Sequence, residues 1–349
     1  MLFPHSYKNL NPLLYKDSRL LAAKGNAIYA LSEDLSSNTV IGREMSGILD
    51  DFVARQPLLS RILRRGFHGI AVNEHDDMVG VMKGRLVFKG RNEQQFKPIY
   101  SDFRGSRPLK ITYGHNKFLF GEYFGNPERE QVHIYASQNG RNWERIYTFK
   151  KGVIRHVHGI VDDPFRNGFW VLTGDSDEES ALWHTDDDFA TLTKVVYGSQ
   201  KARAVNIIVR EDCLIIPMDS PLEQNYIQRY DFSTERLESV AALPGSAFHA
   251  IESDGIMLVS TVTEPSNVNK TDAATLWGSL DGIHWKCVCE LQRDIFPVNW
   301  QHIFRYAEIV LTPGTNNTPY ITAYGRALKK YDNSLLAWKK ADLRSFLSN

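Results

Sequence analysis

Short apolar runs recur along most of the chain, and each run follows a polar cluster. Six such clusters are spaced 42–53 residues apart and begin at Arg65, Arg107, Arg155, Arg203, Ser246 and Asn299. A second apolar run follows each first one, as residues 169–172 follow residues 159–161. A repeat of this length built from short strands is typical of a β-propeller with one four-stranded blade per repeat. The pattern therefore predicts an all-β protein with a six-bladed propeller over residues 65–340, and a seven-bladed propeller as the alternative.

Residues 1–64 break the repeat. Residues 1–17 are polar, which favours a surface arm, and residues 20–41 contain strand-like runs that would close the ring or form part of a seventh blade. Between residues 48 and 63, apolar positions fall at three- and four-residue steps, which predicts an amphipathic helix that Pro57 kinks or splits. We expect this helix to pack against the side of the fold, and a partner-binding helix is the alternative. Residues 341–349 are expected to form a C-terminal tail on a single globular domain.

Two copies of a turn motif lie in phase with the repeat. They read Ser-x-Asn/Asp-Gly-x-x-Trp, from Ser137 to Trp143 and from Ser279 to Trp285, and residues 185–189 form a weaker third copy. The Asn or Asp side chain can bond its own turn, glycine accepts positive φ, and the tryptophan can pack between blades. The motif resembles the Asp-box, or BNR repeat, of sialidases, which implies a sialidase-like propeller. In that family these turns are structural and lie away from the active site, so they indicate the fold rather than an activity.

The repeat also predicts a site. The innermost strands of a propeller begin near its axis, so equivalent positions at the repeat starts are expected to surround the centre of one face. A first set of such positions comprises Arg65, Arg107, Arg155 and Arg203, and a second set comprises His68, Lys110, His158, Asn206, His249 and His302. The loops after the second strands add Glu122, Tyr123, Asn126, Arg129, Asp175, Asp219 and Gln224. Polar loops on a rigid scaffold often bind ligands.

Converging arginines require negative charge nearby. Either loop acids such as Glu122, Asp175 and Asp219 pair with them, or the pocket binds a carboxylated, sulfated or phosphorylated ligand. The histidines favour general acid–base chemistry or a divalent metal site. Because no tight ligand spacing such as His-Glu-x-x-His occurs, we assign no metal from the sequence.

Several segments also resemble bacterial sialidase-like proteins without an assigned reaction. The resemblance covers roughly residues 60–290 and is carried by residues 104–108, 121–129, 155–159 and 173–175. It implies a carboxylate-binding triad of Arg107, Arg155 and Arg203. It also implies Tyr123 with Glu122 as a nucleophile pair and Asp175 as the acid. The Phe-Arg-Ile-Pro motif of sialidases is missing, however, and propeller polysaccharide lyases, which act on uronates with His, Tyr and Arg, match the histidines better.

These observations predict a carbohydrate-active protein that acts on an acidic oligosaccharide or polysaccharide, as a glycoside hydrolase or a polysaccharide lyase. The candidate catalytic residues are His158, His156, Tyr123, Glu122, Asp175 and Asp219. The candidate substrate-binding residues are Arg65, Arg107, Arg155, Arg203, His68, Asn126, Arg129, Gln224, His249 and His302. In the lyase hypothesis His158, with His156 or Tyr123, transfers a proton while arginines hold the sugar carboxylate. The alternative is a non-catalytic propeller that binds an anionic glycan or a protein partner.

Charge and cysteine content narrow the partners and the location. The 349 residues include 41 basic and 41 acidic side chains, and this balance argues against nucleic acid as a partner. The N-terminus lacks a signal-peptide pattern and no run reaches the length of a membrane span, which predicts a cytoplasmic protein without membrane insertion. Cys213, Cys287 and Cys289 are predicted to be free thiols.

The sequence shows no P-loop, no dinucleotide-binding fingerprint and no Gly-x-Ser-x-Gly elbow. The missing motifs disfavour three enzyme classes, namely ATPases, Rossmann oxidoreductases and α/β-hydrolases.

Overall fold

The computed structural model describes residues 1–45, 47–269, 271–297 and 300–349, apart from the side chains of Ile48, Gln301 and His302. Over these residues the protein is all-β, with 8% helix, and its strands form the four-stranded antiparallel sheets of propeller blades. The predictions of an all-β protein and of a propeller with four-stranded blades are confirmed.

The strands alternate with turns along the whole chain. In chain order they are β1 (His5–Lys8), β2 (Asn11–Lys16), β3 (Arg19–Lys24), β4 (Ala27–Leu31), β5 (Asn38–Glu44), β6 (Gly69–Val72), β7 (Met78–Met82), β8 (Arg85–Lys89), β9 (Gln95–Tyr100), β10 (Thr112–Gly114), β11 (Lys117–Gly121), β12 (Val132–Ser137), β13 (Glu144–Phe149), β14 (Val157–Asp163), β15 (Gly168–Thr173), β16 (Ala181–Thr185), β17 (Thr193–Tyr197), β18 (Ile208–Val209), β19 (Cys213–Pro217), β20 (Tyr226–Asp231), β21 (Arg236–Ala242), β22 (Ala247–Ser253), β23 (Ile256–Thr261), β24 (Ala273–Ser279), β25 (Lys286–Gln292), β26 (Glu308–Leu311), β27 (Tyr320–Arg326) and β28 (Ser334–Lys339). The helices are α1 (Ile48–Arg55), α2 (Pro57–Leu63), α3 (Gln301–Phe304) and α4 (Lys340–Ser348), with a 3-10 turn at Gln200–Ala202.

The chain divides into two compact units. The first comprises Met1–Ile41, Gly47–Arg65 and Ile207–Asn349, and the second comprises Gly42–Ser46 and Gly66–Asn206. In the first unit, β2–β5, β18–β21 and β22–β25 each pair in chain order. A further sheet there has the order β1-β28-β27-β26, so the N-terminal strand completes the C-terminal sheet. The predicted organisation as one globular domain stays a prediction.

The second unit contains the sheets β6–β9, β10–β13 and β14–β17, again paired in chain order. The end of β5 also lies in this unit and pairs in parallel with β9, where Arg43 is opposite Gln95. Over the described residues the strands thus form seven sets of four. This count favours the seven-bladed alternative over the six-bladed prediction, and the number of blades around an axis stays a prediction.

The structure differs from the sequence-based prediction at both ends of the chain. Residues 5–16, predicted as part of a surface arm, form β1 and β2. β1 pairs with β28, and Leu13 and Tyr15 of β2 are buried. Residues 20–41 form β3, β4 and most of β5, which together with β2 make a complete set of four, and whether this set closes a ring stays a prediction. In the sixth repeat, which begins at Asn299, the apolar runs predict a first strand at residues 303–304 and a second at residues 309–311. Residues 303–304 instead lie in α3, and residues 309–311 lie in β26, an edge strand of its sheet.

The core lies along the second strand of each set. Every residue of β7, β15, β19 and β23 is buried, on both faces of the strand. A strand covered on both faces is a continuous apolar run rather than an alternating one. Each large apolar side chain buried in this way stabilises the fold by about 1.5–3 kcal/mol. The last strands of the sets, such as β21, carry mostly exposed or half-buried residues, so their sequence signal is weaker.

The turn motifs adopt the geometry that their sequence predicts. The Asn139 side-chain oxygen accepts hydrogen bonds from two main-chain N–H groups of its own turn, at 2.9 Å each. Gly140 has φ +72°, and a Cβ there would lie 2.9 Å from the Phe88 ring, so only glycine fits. Trp143 packs in the cluster that joins the β6–β9 sheet to the β10–β13 sheet. In the other full copy Asp281 accepts two such bonds, at 2.9 and 2.8 Å.

The helical insertion is confirmed, and Pro57 splits it as predicted. Pro57 is the first residue of α2, a position at which its missing N–H removes no helical hydrogen bond. The expected packing of the apolar face against the fold is wrong, because Leu49 and Phe52 are 81% and 56% exposed. Ion pairs hold α2 instead, since the buried Arg61 guanidinium contacts Asp294 at 2.7 Å.

All three cysteines carry free thiols, as predicted. Among the helices that the structure describes, none combines the length and the apolar character that spanning a membrane requires.

A buried carboxylate closes the turn between β14 and β15. Asp163 is fully buried, and its Oδ2 accepts hydrogen bonds from Arg166 Nε and Trp170 Nε1, each at 2.7 Å. Burial alone would raise the pKa of Asp163, but its contacts with His184, Arg166 and Trp170 outweigh burial and lower the pKa to about 2. The charged form therefore stabilises the folded state.

Asp163→Asn is expected to reduce the free energy of unfolding by about 2 kcal/mol at neutral pH, which is the value of a pKa shift of this size. Because the folded-state pKa lies below the unfolded-state value, this contribution is complete above about pH 5 and is lost as the pH falls towards 2. Urea unfolding of wild type and variant should therefore show a stability gap that closes over this range. Asp186→Asn, at an exposed carboxylate, is the control, and its free energy of unfolding should equal that of wild type at every pH. A gap that persists unchanged to acid pH would contradict the assignment.

Candidate functional site

Two buried histidines lie side by side where β14 begins. His156 directly precedes β14 and His158 is the second residue of that strand, and their side chains lie against each other. A bulge between Val157 and Gly159 leaves His158 as the extra residue of the strand. The two imidazoles are only 6% and 3% exposed, and their Nε2 atoms are 3.1 Å apart.

Main-chain carbonyls fix the tautomers of both imidazoles. His156 Nδ1 lies 3.2 Å from the Phe124 carbonyl oxygen, and His158 Nδ1 lies 3.0 Å from the Ala204 carbonyl oxygen. A carbonyl oxygen can only accept a hydrogen bond, so each Nδ1 carries the hydrogen and donates it. In the neutral imidazoles both Nε2 atoms then present lone pairs to each other. Because facing lone pairs repel, this arrangement requires a proton or a cation between them.

Asp175 completes the cluster from the neighbouring strand. β15 runs antiparallel to β14 with Thr173 opposite Val157, which brings the loop after β15 beside the histidines. Asp175 Oδ2 lies 3.6 Å from His156 Nε2, and Asp175 Oδ1 lies 3.6 Å from His158 Nε2. The Asp175 backbone has φ +110°, a conformation that costs a non-glycine residue about 1–3 kcal/mol.

Arginine and glutamine side chains hold Asp175 in this strained conformation. Arg155 Nη1 lies 3.0 Å from Asp175 Oδ2, and Arg203 Nη2 lies 3.3 Å from Asp175 Oδ1. The main-chain oxygen of Asp175 accepts hydrogen bonds from Arg203 Nη1 at 2.9 Å and from Gln200 Nε2 at 3.1 Å. Two guanidinium groups and one carboxylate leave the cluster with an excess of positive charge.

Burial and charge set the protonation states of the cluster. Burial alone would raise the pKa of Asp175, but the adjacent His156 and His158 imidazoles outweigh it and hold the pKa well below its usual range. Burial lowers the pKa of His158, and the nearby Asp175 carboxylate opposes that effect only in part. At neutral pH the cluster therefore combines an ionised Asp175 with a neutral His158 imidazole.

Gly174 and Tyr123 border the cluster. A Cβ at Gly174 would lie 2.7 Å from His158 Cε1, so the absence of a side chain lets the loop approach the imidazole. The Tyr123 ring centroid lies 4.2 Å from that of His156 and 6.3 Å from that of His158. Tyr123 is half-buried and the Arg155 side chain is 37% exposed, so a ligand would reach these two groups before the histidines.

The other predicted site residues of the second unit have protein partners. Buried Glu122 pairs with Arg104 and accepts a hydrogen bond from the His133 main-chain N–H at 3.0 Å. Asn126 donates to the Arg155 carbonyl at 2.9 Å, which braces the start of the histidine segment. The remaining contacts are an Arg129 ion pair with Glu179, an Arg107 hydrogen bond to the Pro108 carbonyl, and a His68 main-chain hydrogen bond to Val81.

The first unit holds the rest of the predicted site residues. Arg65 pairs with Asp50 at 3.1 Å, and Asp219 is buried. Exposed Gln224 donates to the Leu243 carbonyl at 2.7 Å, and His249 Nε2 lies 3.5 Å from a Glu308 oxygen. The His302 side chain lies outside the described residues. Of the four predicted arginines, the structure brings Arg155 and Arg203 together at Asp175, and the full arginine set stays a prediction.

Sequence reasoning did not find several groups that shape the cluster. No sequence pattern marks Gln200, whose side chain contributes from a turn. The same holds for Phe124 and Ala204, because each contributes only its main-chain carbonyl. Lys110, by contrast, belongs to the second set of positions predicted from the sequence, and it donates to the Val205 carbonyl at 2.8 Å and so braces the segment that orients His158. Although Lys110 as a residue is only half-buried, its ammonium group is enclosed, and burial lowers the pKa of that group to about 7.

The cluster has a donor set suited to a metal ion. His156, His158 and Asp175 each offer one ligand atom, and these atoms lie within 4.8 Å of one another. Imidazole nitrogens with a carboxylate oxygen are a common ligand set for divalent transition metals.

Comparison with known proteins supports the fold and leaves the family open. The sequence matches no protein-family model and no curated protein, so the sialidase resemblance stays a prediction. An oligogalacturonate lyase in complex with manganese matches with a TM-score of 0.59 and 12% identity, over 99% of this chain and 100% of that one. The GH74 xyloglucanase from Xanthomonas campestris matches with a TM-score of 0.59 and 12% identity, over 97% of this chain and 52% of the enzyme. The mitotic checkpoint complex contains a chain that matches with a TM-score of 0.57 and 9% identity, over 97% of this chain and 93% of that one. At such identities the likeness shows the fold alone.

Gly174→Ala is expected to displace the His158 imidazole, because the added Cβ would lie 2.7 Å from its Cε1 atom. The hydrogen bond to Ala204 should then break, which changes the His158 nitrogen resonances and lowers Tm by roughly 2–4 °C for each kcal/mol lost. Imidazole nitrogen NMR and calorimetry measure the two effects. Gly125→Ala is the matched control, because its Cβ would meet nothing within 4 Å. Wild-type His158 resonances in Gly174→Ala would show that the loop does not constrain the imidazole.

Proposed function

We propose that this protein acts on an acidic glycan, as a polysaccharide lyase whose centre is the cluster of His156, His158, Asp175, Arg155 and Arg203. The observation that carries the proposal is the convergence of two imidazoles, one ionised carboxylate and two guanidinium groups. Such a centre has excess positive charge, and the exposed part of Arg155 is placed to bind the carboxylate of a uronate sugar.

Elimination from a uronate fits this electrostatic arrangement. A base removes the proton next to the sugar carboxylate, and negative charge develops on that carboxylate. The electron pair of the broken C–H bond then forms a carbon–carbon double bond, and the glycosidic C–O bond breaks. Its electrons leave with the oxygen, which takes up a proton. Fixed cations beside the carboxylate stabilise the charge that develops, and this effect is often the largest single contribution to catalysis.

Proton transfer falls to Tyr123 in this proposal. His158, the first candidate from the sequence, is 3% exposed, and its Nε2 faces His156 rather than the surroundings. Tyr123 is half-buried, lies against the His156 imidazole, and belongs to a residue type that serves as a general acid or base.

The contacts of the carboxyl groups disfavour hydrolysis. Glycoside hydrolases use a pair of carboxyl groups, of which one must donate a proton. Asp175 stays ionised between two arginines, so it cannot act as that donor. Glu122 is buried and engaged by Arg104.

The similar folds are consistent with a carbohydrate-active protein. An oligogalacturonate lyase and a xyloglucanase both share the fold at low identity. The same fold also occurs in the mitotic checkpoint complex, so the fold alone does not select an activity. The proposal therefore depends on the cluster.

The alternative function is a propeller that binds an anionic glycan without turnover. One observation favours it, since three acids of the second unit are all held in ion pairs. Asp175, Glu122 and Glu179 pair with arginines, which removes each of them as a proton carrier.

Incubation with polygalacturonate, alginate and hyaluronan tests the proposal. Wild-type protein is expected to release an unsaturated uronate, detected by its ultraviolet absorbance, from at least one of them. Tyr123→Phe should lower kcat by about 10²–10⁴-fold, the usual contribution of a general acid or base. Arg155→Ala should mainly raise KM, because it removes a contact to the bound carboxylate.

Tyr197→Phe is the matched control, because Tyr197 is 61% exposed on the outer strand β17, and its kinetics should equal those of wild type. Saturated reducing ends would identify a hydrolase, and tight binding without product would support the alternative function. Full activity in both Tyr123→Phe and Arg155→Ala would contradict the proposed site.

A further inference from the structure

We propose that His156, His158 and Asp175 bind a divalent first-row transition metal ion. The inference deepens the proposed function, because a bound ion would be the strongest cation beside the sugar carboxylate. It stands on the geometry of the three side chains and needs no glycan.

The first support is the orientation of the two imidazoles. Each Nδ1–H donates to a main-chain carbonyl, of Phe124 at 3.2 Å and of Ala204 at 3.0 Å. Metal-binding histidines characteristically make such a bond with their other ring nitrogen, since it fixes the tautomer and directs the lone pair at the ion. In this protein the Nε2 lone pairs of His156 and His158 both point towards the same place, where an ion would bind.

The second support is distance. The Nε2 atoms are 3.1 Å apart, closer than two lone pairs approach without something between them. An ion bound at about 2.0–2.1 Å from each nitrogen would hold two adjacent ligands roughly 2.9–3.4 Å apart, so the observed separation fits. Each of these nitrogens also lies 3.6 Å from a different oxygen of the Asp175 carboxylate, Oδ2 for His156 and Oδ1 for His158, so this carboxylate can supply the third ligand.

The third support is the strain and bracing of Asp175. Its backbone is held at φ +110° by hydrogen bonds from Arg203 and Gln200 to its carbonyl oxygen. Observed strain of this kind is typical of functional sites, where the surroundings fix a side chain in place before the ligand arrives. Two histidines and one carboxylate occupy only part of a metal coordination sphere, so positions remain for a substrate oxygen.

Metal binding to chelator-treated protein tests the inference, with Mn²⁺, Zn²⁺ and Mg²⁺ as the probes in calorimetric titrations. One Mn²⁺ or Zn²⁺ ion per chain is expected. Mg²⁺ should bind far more weakly, because it prefers oxygen ligands. His156→Ala and His158→Ala should each weaken binding by more than the roughly 10–100-fold that outer partners of metal ligands contribute. His75→Ala, at an exposed histidine of the same unit, should leave the affinity unchanged.

Pulsed electron paramagnetic resonance of Mn²⁺ on wild-type protein adds a readout that does not depend on how the variants fold. It should show couplings to nitrogen nuclei of directly bound imidazoles. The inference is overturned by the absence of nitrogen couplings, by equal affinity in His156→Ala and wild type, or by failure of wild type to bind either ion. In the last case a shared proton would separate the two imidazoles. Because no glycan is present, failure here is distinguishable from failure of the acidic-glycan proposal.

Discussion

The candidate site depends on one electrostatic constraint, the position of the Asp175 carboxylate among two imidazoles and two guanidinium groups. Each carboxylate oxygen faces one histidine and one arginine, at distances of 3.0–3.6 Å. Without this charge, two guanidinium groups would lie beside two imidazoles with no carboxylate of the cluster to balance them. The strained backbone of Asp175 persists because its hydrogen bonds and ion pairs with the surrounding side chains stabilise it by more than the strain costs.

The cluster is built from two consecutive sheets of the second unit and the segment that follows them. The loop after β11 supplies Tyr123 and the Phe124 carbonyl, the β14–β15 hairpin supplies the histidines and Asp175, and the segment before β18 supplies Arg203 and the Ala204 carbonyl. Main-chain hydrogen bonds within each sheet fix the loop that the sheet contributes to the cluster. The geometry of the cluster therefore depends only on how the neighbouring sheets pack. Arrangements of this kind, in which rigid strands present polar loops at one end, are the common way in which all-β scaffolds carry function.

The sequence predicts the inner strands and the centre of the site better than it predicts the ends of the chain. Strands buried on both faces appear as continuous apolar runs. The sequence also places His156, His158 and Asp175 at adjoining ends of one β-hairpin, whereas the bulge at His158 has no sequence signal. The run at residues 303–304 is too short to distinguish a strand from a helix, and it lies in α3. Gln200 and the carbonyl of Ala204 could not be found from sequence, because their roles arise from turn geometry and main-chain orientation.

In our proposal this cluster recognises the carboxylate of an acidic sugar. A crystal structure of the protein with an oligogalacturonate tests this recognition most directly. We expect one uronate carboxylate within hydrogen-bond distance of Arg155, with the sugar ring beside Tyr123. An oligosaccharide bound at another surface, with Arg155 and Tyr123 free of contact, would contradict the proposal.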